Sequence, residues 1–162
     1  MKWRYSADYS QPATEVLRWF TDREFQQRKL AAIGGGEVLY HDFDGRHYRM
    51  RSRRRVTLSA QAPAFIAKAL GTGMSVVYEE TWDTQQATGA IGFEFPGVPV
   101  QIDCTTAISN IAGGSRMTYD WDIRAKVPMV GGQVEKLLVA DLEIKLPAEV
   151  EACRRLLSEV AA

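Results

Sequence analysis

Trp3, Tyr5, Ala7 and Tyr9 alternate with Arg4, Ser6 and Asp8, and a period of two predicts a strand with one buried face. Helical signals follow at once. Ser10 stands at an N-cap position ahead of Pro12, and Val16, Leu17 and Phe20 form a short apolar stripe, so a helix of two to three turns is expected. Thr21-Asp22-Arg23-Glu24 reads as a capping box that starts a second helix through Phe25, Leu30 and Ile33, ended by Gly34-Gly35-Gly36.

From Glu37 almost to Val127 the period returns to two, and the turn residues set a register. Asp44-Gly45 signals a two-residue hairpin that would oppose Phe43 to Arg46, His41 to Tyr48 and Leu39 to Met50. The inward face would then carry Leu39, His41, Phe43, Tyr48, Met50, Ser52, Arg54 and Val56, unless a bulge intervenes. A turn at Gln85-Gln86 pairs Trp82 with Gly89, Glu80 with Ile91 and Tyr78 with Phe93. A third at Gly113-Gly114 pairs Ile108 with Tyr119, Thr106 with Trp121 and Cys104 with Ile123. Apolar residues meet apolar residues across the last two turns, which predicts an antiparallel meander. Residues 63–71 are apolar and read as a helical turn or a flap, while Phe95-Pro96-Gly97-Val98-Pro99 reads as a turn between strands.

After Val127 the period becomes helical. Val130, Val134, Leu137, Leu138, Asp141, Leu142 and Ile144 define a broad face on a long terminal helix, and Pro147 is expected to kink or break it. The sequence shows no internal repeat or linker, and residues 1–162 read as one domain.

Strand, two short helices, six-strand meander and long helix is the order of the helix-grip superfamily, which includes START lipid-transfer domains, the birch-pollen allergen and polyketide cyclases. The chain resembles that superfamily over its whole length. The most specific piece is Trp121-Asp122-Ile123-Arg124-Ala125-Lys126-Val127-Pro128-Met129-Val130-Gly131-Gly132-Gln133-Val134-Glu135-Lys136, where the last strand runs through a Val-Pro-x-x-Gly-Gly turn into the helix. With Leu70-Gly71 ahead of a strand ending at Trp82, this looks like a bacterial family of unknown function within the superfamily; Pro147 departs from the uninterrupted helix usual there. The resemblance implies an α+β fold, a curved seven-stranded antiparallel sheet wrapped around the C-terminal helix, with an apolar cavity between them for a lipid-like or aromatic molecule.

Composition adds limits. The 162 residues carry 20 basic and 20 acidic side chains, 46% hydrophobic residues and a pI near 6.7, which removes the long-range electrostatic argument for nucleic acid. No apolar run reaches membrane-spanning length and the N-terminus lacks a signal-peptide pattern, so a cytoplasmic protein without integral membrane association is expected. Cys104 and Cys153 match no metal or redox spacing and read as reduced structural thiols. Oligomeric state is left open.

The inward face is rich in Tyr5, Tyr48, Tyr78, Phe93, Tyr119 and Trp121, with Met50 and Met117 as adaptable neighbours. It suits either a solid core or an apolar pocket that orients a ligand by a few hydrogen bonds. Four polar residues share that face: His41, Arg54, Glu80 and Thr106. An inward Arg54 and Glu80 should pair, reach the cavity mouth or touch a polar ligand group, unless a bulge turns Arg54 outward. The expected binding set is thus His41, Tyr48, Met50, Arg54, Tyr78, Glu80, Phe93, Thr106, Tyr119 and Trp121, closed by Leu137, Leu138 and Asp141 of the helix. His41 with Glu80 could alternatively move protons in an aromatase, cyclase or dehydratase reaction. No Ser-His-Asp order or metal-ligand spacing is present, so neither cofactor nor metal is expected. Six arginines fall within residues 46–55; Arg49, Arg51, Arg53 and Arg55 share the outer face, where Glu79 and Asp83 of the next strand offer partners. Neither Gly34-Gly35-Gly36 nor Gly131-Gly132 has phosphate-loop spacing.

Overall fold

In the computed structural model the described residues are 1–57, 64, 67, 68 and 73–161. Most of segment 63–71, with Leu70-Gly71, lies outside them. The elements run β1 (Lys2–Tyr9), α1 (Ala13–Phe20), α2 (Arg23–Ala32), β2 (Glu37–Phe43), β3 (His47–Val56), β4 (Met74–Asp83), β5 (Thr88–Glu94), β6 (Val100–Ile111), β7 (Gly114–Ala125) and α3 (Gly131–Val160). One antiparallel sheet has the order β1-β7-β6-β5-β4-β3-β2. It curves around α3, the α+β helix-grip arrangement that the resemblance implies. Among the described residues no helix is long and apolar enough to cross a membrane.

The helix starts differ from expectation. Pro12, not Ser10, is the N-cap of α1, and the Ala13 N–H donates at 2.8 Å to Asn110 Oδ1 of β6, so this helix is capped from the sheet. Asp22 caps α2 by accepting the Phe25 N–H at 2.9 Å, while the Thr21 hydroxyl donates back to the Leu17 carbonyl.

The Tyr78–Phe93, Glu80–Ile91 and Trp82–Gly89 pairs form as predicted. The other two turns are displaced by one residue, which shifts each register by two. Phe43 faces Tyr48 and His41 faces Met50, because the Asp44 carboxylate accepts the Arg46 and His47 N–H groups at 2.8 and 2.6 Å and widens the loop. Ala112-Gly113 makes the last turn, with Gly113 at φ 81°, so that Ile108 faces Met117, Thr106 faces Tyr119 and Cys104 faces Trp121. An even shift leaves every side chain on its face. A bulge does occur, but in β2: Leu39 drops out between Val38 and Tyr40 and is exposed. The β3–β4 register is regular through Arg54, which therefore points inward.

On the outer face Arg49 meets Glu79 at 3.1 Å, Arg51 meets Glu94 at 3.0 Å, Arg53 meets Glu37 at 3.2 Å and Arg46 meets Asp83 at 3.0 Å. The arginine run is thus a solvated cross-strand ladder whose individual pairs add little stability. Helix α3 runs through Pro147 without interruption. The hydrogen bond that proline removes would go to the carbonyl of Glu143, which is exposed, so water can take its place. Cys104 and Cys153 are free and buried.

Candidate functional site

Helix α3 packs chiefly on β7, β1 and α2. Because it does not press on the middle strands, a cavity of about 500 Å³ remains between helix and sheet, within the size range that holds a drug-sized molecule. Its wall is aromatic. Tyr78 and Phe93 meet edge-on with centroids 4.3 Å apart, and Phe93 lies 5.7 Å from Trp121 and stacks on Phe95 at 6.1 Å. Leu138, Leu142 and Leu146 face them from α3.

Of the residues predicted from sequence, Arg54, Tyr78, Glu80, Phe93, Tyr119, Trp121, Leu138 and Asp141 line this cavity. Tyr48, Met50 and Thr106 are buried in the core and do not line it. Leu137 and His41 are half-buried and also lie off the cavity. His41 sits opposite Met50, which sits opposite Glu80, so two strand spacings, about 10 Å, separate the imidazole's strand position from that of the carboxylate. The two do not share a void.

The lining residues that were not predicted include two charged ones turned away from solvent, Lys29 of α2 and Glu149 of α3. Each lies on the buried stripe of its helix. Lys29 follows Phe25 by four positions on the stripe that buries Phe25, Gln26 and Leu30, and Glu149 lies between Leu146 and Cys153 on the inner stripe of α3. With Arg54 and Glu80 they form an interior cluster of four charges. Lys29 Nζ lies 3.3 Å from Glu149 Oε1 and 3.9 Å from Glu80 Oε2, and Arg54 Nη1 donates to Glu149 Oε2 at 3.5 Å. Trp82 Nε1–H donates to Glu80 Oε1 at 2.9 Å. The Arg54 guanidinium lies 4.0 Å above the Tyr78 ring. These side chains are 6% (Lys29), 11% (Arg54), 12% (Glu80) and 27% (Glu149) exposed.

Burial alone would lift the Glu149 carboxyl, but Arg54 and Lys29 outweigh it and hold its pKa below the ordinary value. Burial likewise opposes the Lys29 charge, and Glu80 with Glu149 more than offset it, so its pKa is raised and the amine is protonated at neutral pH. A protonated Lys29 is not a nucleophile. Burial also pushes the Cys153 thiol up to about 12 and the Tyr78 hydroxyl up to about 12. Toward the other end, Asp141 pairs with Lys145 at 2.7 Å, and Lys145 Nζ donates to the Thr57 carbonyl at 2.9 Å, joining α3 to the end of β3. Lys145 is 45% exposed, so the cavity borders solvent at this end. Among the described residues no group of three or more His, Cys, Asp or Glu is placed to hold a metal ion. The arrangement suits holding an apolar body with one polar end.

A family model described as "Protein of unknown function (DUF2505)" matches residues 4–157. An uncharacterized protein of Mycobacterium tuberculosis H37Rv, Rv0481c, is 29% identical over 148 residues, covering 85% of each chain. Among solved structures, TTHA0849 of Thermus thermophilus superposes with a TM-score of 0.69 at 16% identity over all of both chains. The ZhuI aromatase/cyclase of Streptomyces sp. R1128 gives 0.69 at 12% identity, over 100% of this chain and 96% of that one. Ara h 8.0201 gives 0.63 at 13% identity over 98% of each. At these identities the structural matches share the fold, and chemistry does not transfer with it.

Proposed function

Because the chain belongs to the family of proteins of unknown function DUF2505, on a fold shared with proteins of differing chemistry, we propose that it binds or carries a hydrophobic small molecule, lipid-like or aromatic, between sheet and α3. The observation that carries this reading is the cavity of about 500 Å³, walled by Tyr78, Phe93 and Trp121 and bordered at one end by the Lys29–Arg54–Glu80–Glu149 cluster. A void of this size without an occupant forgoes packing that a closed core would make. Residues 1–162 act as one domain in this reading. The alternative, an aromatase, cyclase or dehydratase using His41 with Glu80, is weaker, since only Glu80 borders the cavity. Native mass spectrometry of protein purified without detergent is expected to reveal one small organic molecule per chain, released on denaturation. A bare mass, with no uptake of an offered aromatic probe, contradicts the proposal.

A further inference from the structure

The inner end of the cavity has more hydrogen-bond donors than its own acceptors satisfy. An ammonium and a guanidinium together offer more N–H groups than two carboxylates can absorb when one oxygen, Glu80 Oε1, is already taken by the Trp82 indole. Among the described residues, the one hydrogen bond that Arg54 makes is the long 3.5 Å contact to Glu149. Lys29 Nζ reaches Glu149 Oε1 at 3.3 Å but only approaches Glu80 Oε2, at 3.9 Å, and the Arg54 Nε–H is buried with no acceptor. In charge, by contrast, the cluster is complete, because two cations face two carboxylates.

We infer that the cavity selects a ligand whose inner polar group is an uncharged acceptor, a ketone, quinone or ester oxygen, seated against Lys29 and Arg54. This rests on the binding reading proposed above and names the chemistry of that ligand. A carboxylate or phosphate would satisfy the donors but add an unbalanced charge beside Tyr78 and Phe93, and an ammonium would add an unbalanced charge of the other sign and leave the surplus donors unsatisfied. An uncharged oxygen meets the donor surplus and leaves the balance intact. The position of the surplus donors sets the orientation. Lys29 is 6% exposed and Lys145 is 45% exposed, and their partners Glu149 and Asp141 lie eight residues apart on α3, about 12 Å along the axis. The acceptor therefore lies at the Lys29 end, and the apolar body crosses the aromatic wall toward Asp141 and Lys145.

Three probes with one flat body separate the possibilities: 2-acetylanthracene has a neutral acceptor, 2-ethylanthracene has none, and anthracene-2-carboxylate is charged near neutral pH. Each is titrated into the full chain and followed by tryptophan emission. The ketone is expected to bind about tenfold or more tightly than either of the others, the effect of one hydrogen bond to a charged donor. Arg54→Met is expected to cut the ketone's advantage over the ethyl compound, read as the ratio of the two affinities within the same variant. Equal binding of ketone and ethyl compound, or tightest binding of the carboxylate, overturns this inference while the cavity reading stands. No saturable binding of any probe overturns both. If Arg54→Met does not fold, the three-probe comparison on the unaltered chain decides alone.

Discussion

Replacing Lys29 by methionine keeps an unbranched stem of similar length in the space between α2 and α3 and removes only the charge. Glu149 then loses a cation at 3.3 Å and Glu80 one at 3.9 Å. Removing one partner of a buried ion pair costs about 3–5 kcal/mol, because the other charge stays buried. Glu149 retains Arg54 and Glu80 retains the Trp82 N–H, so the loss should fall at the lower end, about 3 kcal/mol at pH 7. For a chain of this length that corresponds to a drop in Tm of roughly 6–12 °C. The pH dependence follows from the two shifts. The lowered pKa of Glu149 gives stability that is present above its ordinary value of 4.5 and lost as pH falls through the folded value. The raised pKa of Lys29 gives stability present below 10.5 and lost as pH rises through the folded value. In the variant, Glu149 takes up its proton at higher pH than in the parent, so the gap between the two proteins narrows from pH 7 to pH 4. Urea unfolding followed by tryptophan emission at both pH values measures it. A loss below about 1 kcal/mol at pH 7, or one that is the same at pH 4, refutes the reasoning.

Other consequences can be checked by simpler means. A Cβ on Gly89 would lie 2.3 Å from the Thr81 carbonyl oxygen and 2.8 Å from the Trp82 ring, whereas one on Gly92 of the same strand meets nothing within 4 Å; Gly89→Ala is expected to cost about 2 kcal/mol or more and Gly92→Ala under about 1, by thermal unfolding, and equal losses would contradict the packing described. The Asp83 carboxyl, bonded by the Arg46 guanidinium and by backbone N–H groups of the turn, titrates at about 2 instead of 3.8. Its contribution to stability is therefore present above 3.8 and is lost as pH falls toward 2; NMR titration should show that midpoint, and Arg46→Ala should raise it. Burial raises the thiol pKa of both cysteines, that of Cys153 to about 12. A disulfide reagent should accordingly leave the folded chain unmodified and titrate both thiols in urea, and rapid reaction without urea would count against it.

Element order and side-chain faces were legible in the sequence because both depend on hydrophobic period, and parity survives small errors in a turn. The turns near Gly45 and Gly113 were each misplaced by one residue, yet His41, Tyr48 and Met50 still share a face, as do Thr106, Tyr119 and Trp121. What period cannot reveal is a side chain's depth. Tyr48 and Trp121 look alike in the pattern, but α3 leans toward β7 and β1, and only Trp121 borders the resulting space. The bulge at Leu39 left no local sign, since a leucine is ordinary at an inward position. Lys29 and Glu149 escaped for another reason. A charged residue within an amphipathic helix reads as solvent-facing until the opposite helix supplies its partner, and their pairing spans 120 residues of sequence. The helix continues through Pro147 because the carbonyl left unbonded there faces water, a matter of rotational position that a breaker rule ignores.

The central claim is that the space between sheet and α3 is a binding site, and filling it tests that claim most directly. Leu142 lines the cavity from α3 and is half-buried, so Leu142→Trp places an indole in the void with little disturbance outside it. Titration with 2-ethylanthracene, followed by tryptophan emission and repeated by calorimetry, is expected to show one saturable site in the parent chain. In Leu142→Trp, affinity should fall at least about tenfold while the unfolding temperature is held. Equal affinity in the two proteins, or no saturable site in the parent, would contradict the account.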